Sequence, residues 1–352
     1  MPGTTRNGPG NRWRAMIGLA CGCFSAPSYA IFSTFLTGWV LAPGRRTITE
    51  MICAADPEGQ RAHDAYHRFV RAARWSTNAL WKVLLVHMVD VLAPTGMLVL
   101  DCDDTLYKKS GRKVEGAGSF RDAVRSTRNK IVYATGLNLV VVTLRVRPPW
   151  GGQPIGVPVG VRLHPKGGPT TLDLAQDIVT EIASWLPQRC FSLCADGAYA
   201  SLARRGLPRT TLTSRMRRDA ALYEAAPPRT GKPGRPRKKG KRLDTPAEMA
   251  AKLKDEAFSA VRVDFRGNGR DLLVWSRPVL WYTTDPDHLV LLVIVRDPQG
   301  HMHDDFFSTD LEALPGDVAS LYAGRWSIEC VKREVKQCLH AEDPQSWKGR
   351  WE

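Results

Sequence analysis

Two short apolar runs, each closing on acid, constrain this chain more than any other feature. MLVLDC at 97–102 leads into DDT, and CFSLCADG at 190–197 carries Asp196 near its end. Runs of this length, bounded by polar residues, read as buried strands, and functional groups gather at the carboxyl ends of such strands. Between them, IVYATGLNLVVVTLRV at 131–146 supplies one or two more strands. The segment from Arg147 to Pro169, rich in Pro and Gly, is a loop with a short strand at VPVGVRL, and LDLAQDIVTEIASWL at 172–186 reads as a helix. Strand, strands, helix, strand, then a late helix is a mixed α/β order.

What precedes the first strand is different in kind. From about 10 to 92 apolar groups recur at helical spacing, as in AYHRFVRAARWSTNALWKVLLVHMVDVL, and β-alternation is absent. Pro94 and Gly96 then mark a boundary. Residues 15–42 carry no charge and mimic a signal peptide or a membrane span. Pro27 and the interspersed Ser and Thr argue instead for buried helices of an N-terminal domain. After Asp196 the chain is too long before the late helix to be one connection. It holds a basic loop and strand-like VWSRPVLWYTTDPDHLVLLVIVRD (274–297), so it reads as an inserted subdomain. The expected divisions are 1–95, 96–200, 201–310 and 311–352.

The charge balance points to a polyanion. Fifty Lys and Arg against 35 Asp and Glu leave a net charge of +15, and each phosphate neutralised by such a surface releases a counterion. Eight of the fourteen residues from Arg229 to Arg242 (RTGKPGRPRKKGKR) are basic and none is acidic. Gly and Pro keep that stretch extended, which makes Arg235, Arg237 and Lys238 candidates for gripping phosphates. Its GRP at 234–236 is similar to the minor-groove AT-hook core. Arg204, Arg205, Arg209, Arg215, Arg217 and Arg218 follow the second acid, and Arg121, Arg125, Arg128 and Lys130 follow the first strand. Together they suit phosphate positioning rather than base reading. The eight cysteines form no CxxC pair with a His partner, so they read as reduced thiols and not as a zinc site.

The late helix-like stretch VASLYAGRWSIECVKREVKQCLH places Tyr322, Arg325, Glu329 and Lys336 at offsets of 0, 3, 7 and 14. On one helix these side chains would lie within about 60° of one another. A carboxylate flanked by two cations and a phenol suits a divalent metal beside phosphates. The spacing Y-(2)-R-(3)-E-(6)-K resembles the signature of one large branch of bacterial insertion-sequence DDE transposases. LVLDCDDTLYKKSGRKVEGAG looks like the first-Asp block of that family, mapping to Asp104 with Thr105, and CADGAYAS resembles the second, mapping to Asp196.

The resemblance, over roughly 97–340, implies a ribonuclease-H-like mixed sheet with a β-rich insertion, preceded by the helical domain. It implies that Asp104, Asp196 and Glu329 hold two Mg²⁺ ions, with Mn²⁺ as a substitute, while Tyr322, Arg325 and Lys336 contact phosphates. It further implies strand cleavage and transfer at terminal inverted repeats, a homodimer on double-stranded DNA, and a cytoplasmic, nucleoid-associated enzyme without a membrane segment. In related enzymes an aromatic of the insertion stacks on a flipped base, a role open here to Trp275 or Trp281. The chain ends at Glu352, soon after Glu329, where the family generally continues into further helices. A truncated or domesticated, non-catalytic DNA-binding derivative is therefore the alternative.

Two ambiguities stay open. Asp101, Asp103 and Asp104 all lie near one strand end, with Asp101 and Asp103 on one face and Asp104 on the other. DCDDT also satisfies DxDxT, the phosphatase motif of the haloacid dehalogenase superfamily, in which Asp101 would be the nucleophile and Asp103 the general acid. That fold normally begins with this strand and needs a later acidic pair, for which Asp304 and Asp305 are poorly placed.

Overall fold

The computed structural model describes residues 9–109, 114–122, 124–127, 129–228, 236–300 and 303–343. These described residues fall into two compact units, one within 1–91, 106–138 and 332–352, the other within 92–105 and 139–331.

The first unit is mainly helical: α1 (Pro9–Gly18), α2 (Ala26–Leu41), α3 (Ile48–Ala55), α4 (His63–Ala72) and most of α5 (Thr77–Leu92). Aromatic side chains knit it together. Phe24 stacks on Phe32 at 4.6 Å, Phe35 meets Tyr66 edge-on at 5.4 Å, and Phe69 stacks on Trp75 at 5.9 Å. The Tyr66 hydroxyl, buried by this packing, donates to Asp56 at 2.8 Å. Gly38 of α2 rides on the backbone of Met51 in α3, where any Cβ would collide. The uncharged stretch 15–42 becomes α2 and the end of α1, but it is not the buried helix expected: only Ile17, Ala20, Gly38 and Ala42 in it are buried, and the rest are half-buried or exposed. Among the described residues no helix is long and apolar enough to cross a membrane. The chain's end returns to this unit: the Trp39 indole donates to the Leu339 carbonyl at 2.8 Å.

The second unit is built on a sheet. Its strands are β1 (Leu98–Lys108), β3 (Tyr133–Val146), β4 (Ile155–His164), β5 (Phe191–Ala195), β6 (Thr210–Arg215), β7 (Ser259–Phe265), β8 (Asn268–Val279), β9 (Val290–Arg296) and β10 (His303–Ser308). The short β2 (Gly118–Arg121) pairs antiparallel with the start of β3, in the first unit. The order β3-β1-β5-β6, with β4 on the outer side of β3 and β1, β5 and β6 parallel, is a ribonuclease-H-like core. Between β4 and β5 runs α6 (Thr171–Trp185). Thr170 and Asp173 form its capping box, and Leu174, Ile178, Val179 and Ile182 make its buried face.

The β-rich run after β6 continues the same sheet. β10 pairs antiparallel with β6, and β9, β8 and β7 follow outward. β9 reads VLLVIVR and is buried on both faces as far as Val295, which explains its unbroken apolar run. The short α7 (Pro246–Lys252) precedes β7, and two helices close the region, α8 (Pro315–Gly324) and α9 (Trp326–Gln337). Val318 and Ala319 of α8 pack on Val263, Leu272, Val274, Val293, Val295 and Phe306 of β7 to β10.

The stretch expected to be one helix from 318 onward is therefore two. Arg325 stands between them, and the Arg325 N–H to Tyr322 and Ile328 N–H to Arg325 bonds, both 3.1 Å, span three residues rather than four. Such a tightened turn shifts the register of all that follows, so the four-residue stripe is not one straight face.

Candidate active site

The parallel pairing of β1 and β5 runs Leu98 with Phe191 through Cys102 with Ala195. The next residues are Asp103, within β1, which runs on to Lys108, and Asp196, just past the end of β5, so the two acids lie level with one another across adjacent strands. Arg325 ties the third acid to this pair. Its Nη1 donates to Asp103 Oδ2 at 3.0 Å and to Glu329 Oε1 at 3.2 Å. These are partly buried, charge-assisted contacts.

Asp196 sits where a strand becomes a tight turn. Its Oδ1 accepts from the Ala198 N–H at 2.8 Å, and its carbonyl accepts from the Ser214 hydroxyl at 2.8 Å. Burial, then the negative charge of Asp103, push its carboxyl above the usual range, with Asp104 adding to the effect. Asp104 lies on the other side of the strand, 3.4 Å from the buried Tyr199 hydroxyl. Asp103 Oδ1 accepts from the Asp104 N–H at 2.9 Å.

Asp101 has another task. Its side chain is 0% exposed. Arg145 of β3, 8% exposed, grips both its oxygens, with Nε 3.0 Å from Oδ2. The Ser327 hydroxyl of α9 donates to the same Oδ2 at 2.8 Å, and Arg145 Nη1 donates to the Leu321 carbonyl of α8 at 2.8 Å. Burial alone would weaken the Arg145 charge, but Asp101, helped by Cys194, more than offsets it and raises the guanidinium pKa. A carboxylate enclosed in this way cannot attack a substrate, which overturns the phosphatase reading of DCDDT.

Tyr322 is half-buried, its ring 4.4 Å from Phe306 and beneath the guanidinium of Arg325 at 5.6 Å. Burial raises its phenol pKa. Beside it opens a cleft of about 270 Å³ lined by Arg215, Arg266, Phe306, Tyr322, Arg325 and Trp326. Arg325 Nε is buried and has no hydrogen-bond partner among the described residues. An orphaned guanidinium donor beside such a cleft is suited to an anionic oxygen.

The remaining expected residues scatter. In the first unit Lys336 donates to the Leu106 carbonyl at 2.7 Å and lies 3.6 Å from Glu342. Arg237 and Lys238 are exposed, while Arg235 and Arg128 lie outside the described residues. Trp281 is buried and meets Phe307 edge-on at 5.4 Å, so it is core and not a free stacking platform; Trp275 is half-buried. Arg205 pairs with Asp173, Arg215 with Asp304 and Arg217 with Asp219, while Arg209 donates to backbone carbonyls. Arg205 and Arg209 brace the fold, the exposed Arg217–Asp219 pair contributes little, and Arg215 also lines the cleft. Arg145 and Ser327 were not anticipated. The signal was there in NLVVVTLRV, where one arginine breaks an otherwise buried apolar strand and therefore needs a buried partner.

Among the described residues no three His, Cys, Asp or Glu side chains form a preformed cage for a metal ion. Asp103, Asp196 and Glu329 do offer only oxygen donors, the chemistry a hard divalent cation takes, and Arg325 here bridges Asp103 and Glu329.

A family model described as DDE superfamily endonuclease matches residues 21–268. The chain belongs to that family. No curated protein matches it closely enough to count as a relative. The DDE match spans α2 to α5, β1 and β5, and so includes Asp103, Asp104 and Asp196. It ends before Glu329, whose place beside them rests on the Arg325 contacts. DDE endonucleases act on DNA and generally use divalent metal ions, in accord with the strongly basic composition.

Proposed function

We propose that the chain is a DDE transposase of the insertion-sequence type, cleaving DNA and joining strands at the ends of its own element. Asp103, Asp196 and Glu329 are the acids of the site, with Asp103 taking the place first expected of Asp104. The observation that carries this reading is the level placement of Asp103 and Asp196 across adjacent parallel strands, with Arg325 linking Asp103 to Glu329.

Two Mg²⁺ ions (or Mn²⁺) held by these three acids would make a nucleophile from water near neutral pH and stabilise the leaving oxygen. The chain's own groups do the rest. Arg325 orients Asp103 and Glu329 through Nη1 and sets its positive charge beside the cleft, where it attracts a phosphate. Tyr322 and Arg215 line the cleft that receives the strand. In the first step water attacks the phosphorus at the element end, the P–O3′ bond breaks, and the 3′ oxygen leaves as a hydroxyl opposite a 5′-phosphate. In the second that 3′-hydroxyl attacks a target phosphodiester and releases the target's own 3′-hydroxyl. Arg237 and Lys238 add a sequence-independent grip. Helices α1 to α5 bind terminal inverted repeats, and a homodimer pairs the two ends in the bacterial cytoplasm.

The test is to incubate the purified chain with duplexes carrying the repeats that flank its gene. Divalent-dependent nicks leaving 3′-hydroxyls at the repeat ends support the assignment. Failure to nick, with intact DNA binding, supports the non-catalytic derivative, and nicking retained by Asp196→Asn overturns the site.

A further inference from the structure

Resting on that assignment of the acids, we propose that Arg145, Asp101 and Ser327 are a positioning assembly that sets where Arg325 and Glu329 stand relative to Asp103. None of the three touches the DNA or the metal in this account, and all are buried or nearly so. Their bonds converge on one short stretch. Arg145 holds the Leu321 carbonyl, near the end of α8, and Asp101 holds the Ser327 hydroxyl, in the first turn of α9. The junction between the helices is thus tied down on both sides of Arg325.

The two ties share a single anchor, because Arg145 and Ser327 both bind the Asp101 carboxylate. Asp101 lies two residues before Asp103 on the same strand and the same face. The distance from Asp103 to the guanidinium of Arg325 and to Glu329, one turn further along α9, is therefore fixed through side chains that are not themselves at the site. Gly324 completes the fit: a Cβ there would strike the Arg145 guanidinium. The tight turn at Arg325 is thereby held open for Arg145 to reach the α8 carbonyl. An ion pair this buried is weak evidence for stability and better explained by a demand for one geometry.

Ser327→Ala and Gly324→Ala disturb the assembly from opposite ends and leave every acid in place. Mn²⁺ binding by titration, the single-turnover nicking rate, DNA affinity and thermal unfolding are measured for each, with Glu329→Gln as control. Ser327→Ala should weaken Mn²⁺ binding and slow nicking by about tenfold, the scale seen when partners behind metal ligands are removed. DNA affinity should be unchanged, Gly324→Ala should behave likewise, and Ser327→Thr, which keeps the hydroxyl, should recover both losses. Wild-type Mn²⁺ affinity and rate in Ser327→Ala and Gly324→Ala, while Glu329→Gln loses both, overturn the proposal alone. A lowered unfolding temperature with unchanged rate per folded molecule also overturns it. Wild-type behaviour of Glu329→Gln overturns the underlying assignment of the acids instead.

Discussion

Asp103 and Asp196 stand side by side, each one residue beyond the last paired position of two parallel strands, Cys102 with Ala195. Burial, and after it the charge of Asp103, raises the pKa of Asp196, as expected of two carboxylates set level in this way.

The first consequence separates Asp103 from its neighbour. Asp103→Asn should slow nicking of cognate ends by about 100-fold or more, and Asp104→Asn by less than about tenfold, since only the former faces both Arg325 and the Asp196 edge. A gel assay of the two variants decides, and equal losses would return Asp104 to the site.

The buried pair behind them should behave differently. Replacing Asp101 by Asn or Arg145 by Met leaves one buried charge uncompensated, at a cost of about 3–5 kcal/mol of stability. Replacing both by apolar residues should cost clearly less than the sum of the two. Urea unfolding of the three variants measures this, and additive losses would show that the two side chains do not act as a pair.

Proton linkage at Asp196 has a definite sign. Its folded pKa lies above the ordinary 3.8, so the folded state holds the proton more tightly than the unfolded state. Asp196 therefore favours folding in acid and works against it as pH rises from 3.8 through the raised value. Asp196→Asn keeps an acceptor for the Ala198 N–H and removes the charge. It should raise the unfolding temperature at pH 7 by about 2 °C or more and have less effect at pH 4. Scanning calorimetry at the two values checks it; a lower unfolding temperature at pH 7 would contradict the assigned repulsion.

The exposed basic residues make a salt-dependent prediction. Arg237→Ala with Lys238→Ala should reduce the slope of log binding constant against log salt by about 2, equally on cognate and random duplexes. A loss confined to one sequence would mean that they read bases.

Much of the fold was legible because its signals are local. The apolar runs at 97–102 and 190–197 became β1 and β5, the periodic segment at 172–186 became α6, and the N-terminal region became α1 to α5. The break at Arg325 was not legible. Helical spacing runs straight through it, and the Leu321 carbonyl near the end of α8 is taken by Arg145, a partner 176 residues away. Nor could spacing choose among Asp101, Asp103 and Asp104. Alternation put two of them on one face, and only the register with β5 and the enclosure of Asp101 by Arg145 and Ser327 told those two apart. The family resemblance leaves a stacking role open to Trp281, and its burial against Phe307 depends on β8 to β10 joining the core sheet.

The central claim is that three acids from two strands and a helix bind the same cations. Calorimetric titration of the purified chain with Mn²⁺ tests it most directly, comparing wild type with Asp103→Asn, Asp196→Asn and Glu329→Gln. The account predicts that each single substitution, in a protein that remains folded, sharply weakens or abolishes the binding seen in wild type. Mn²⁺ binding that survives unchanged in all three variants would contradict it.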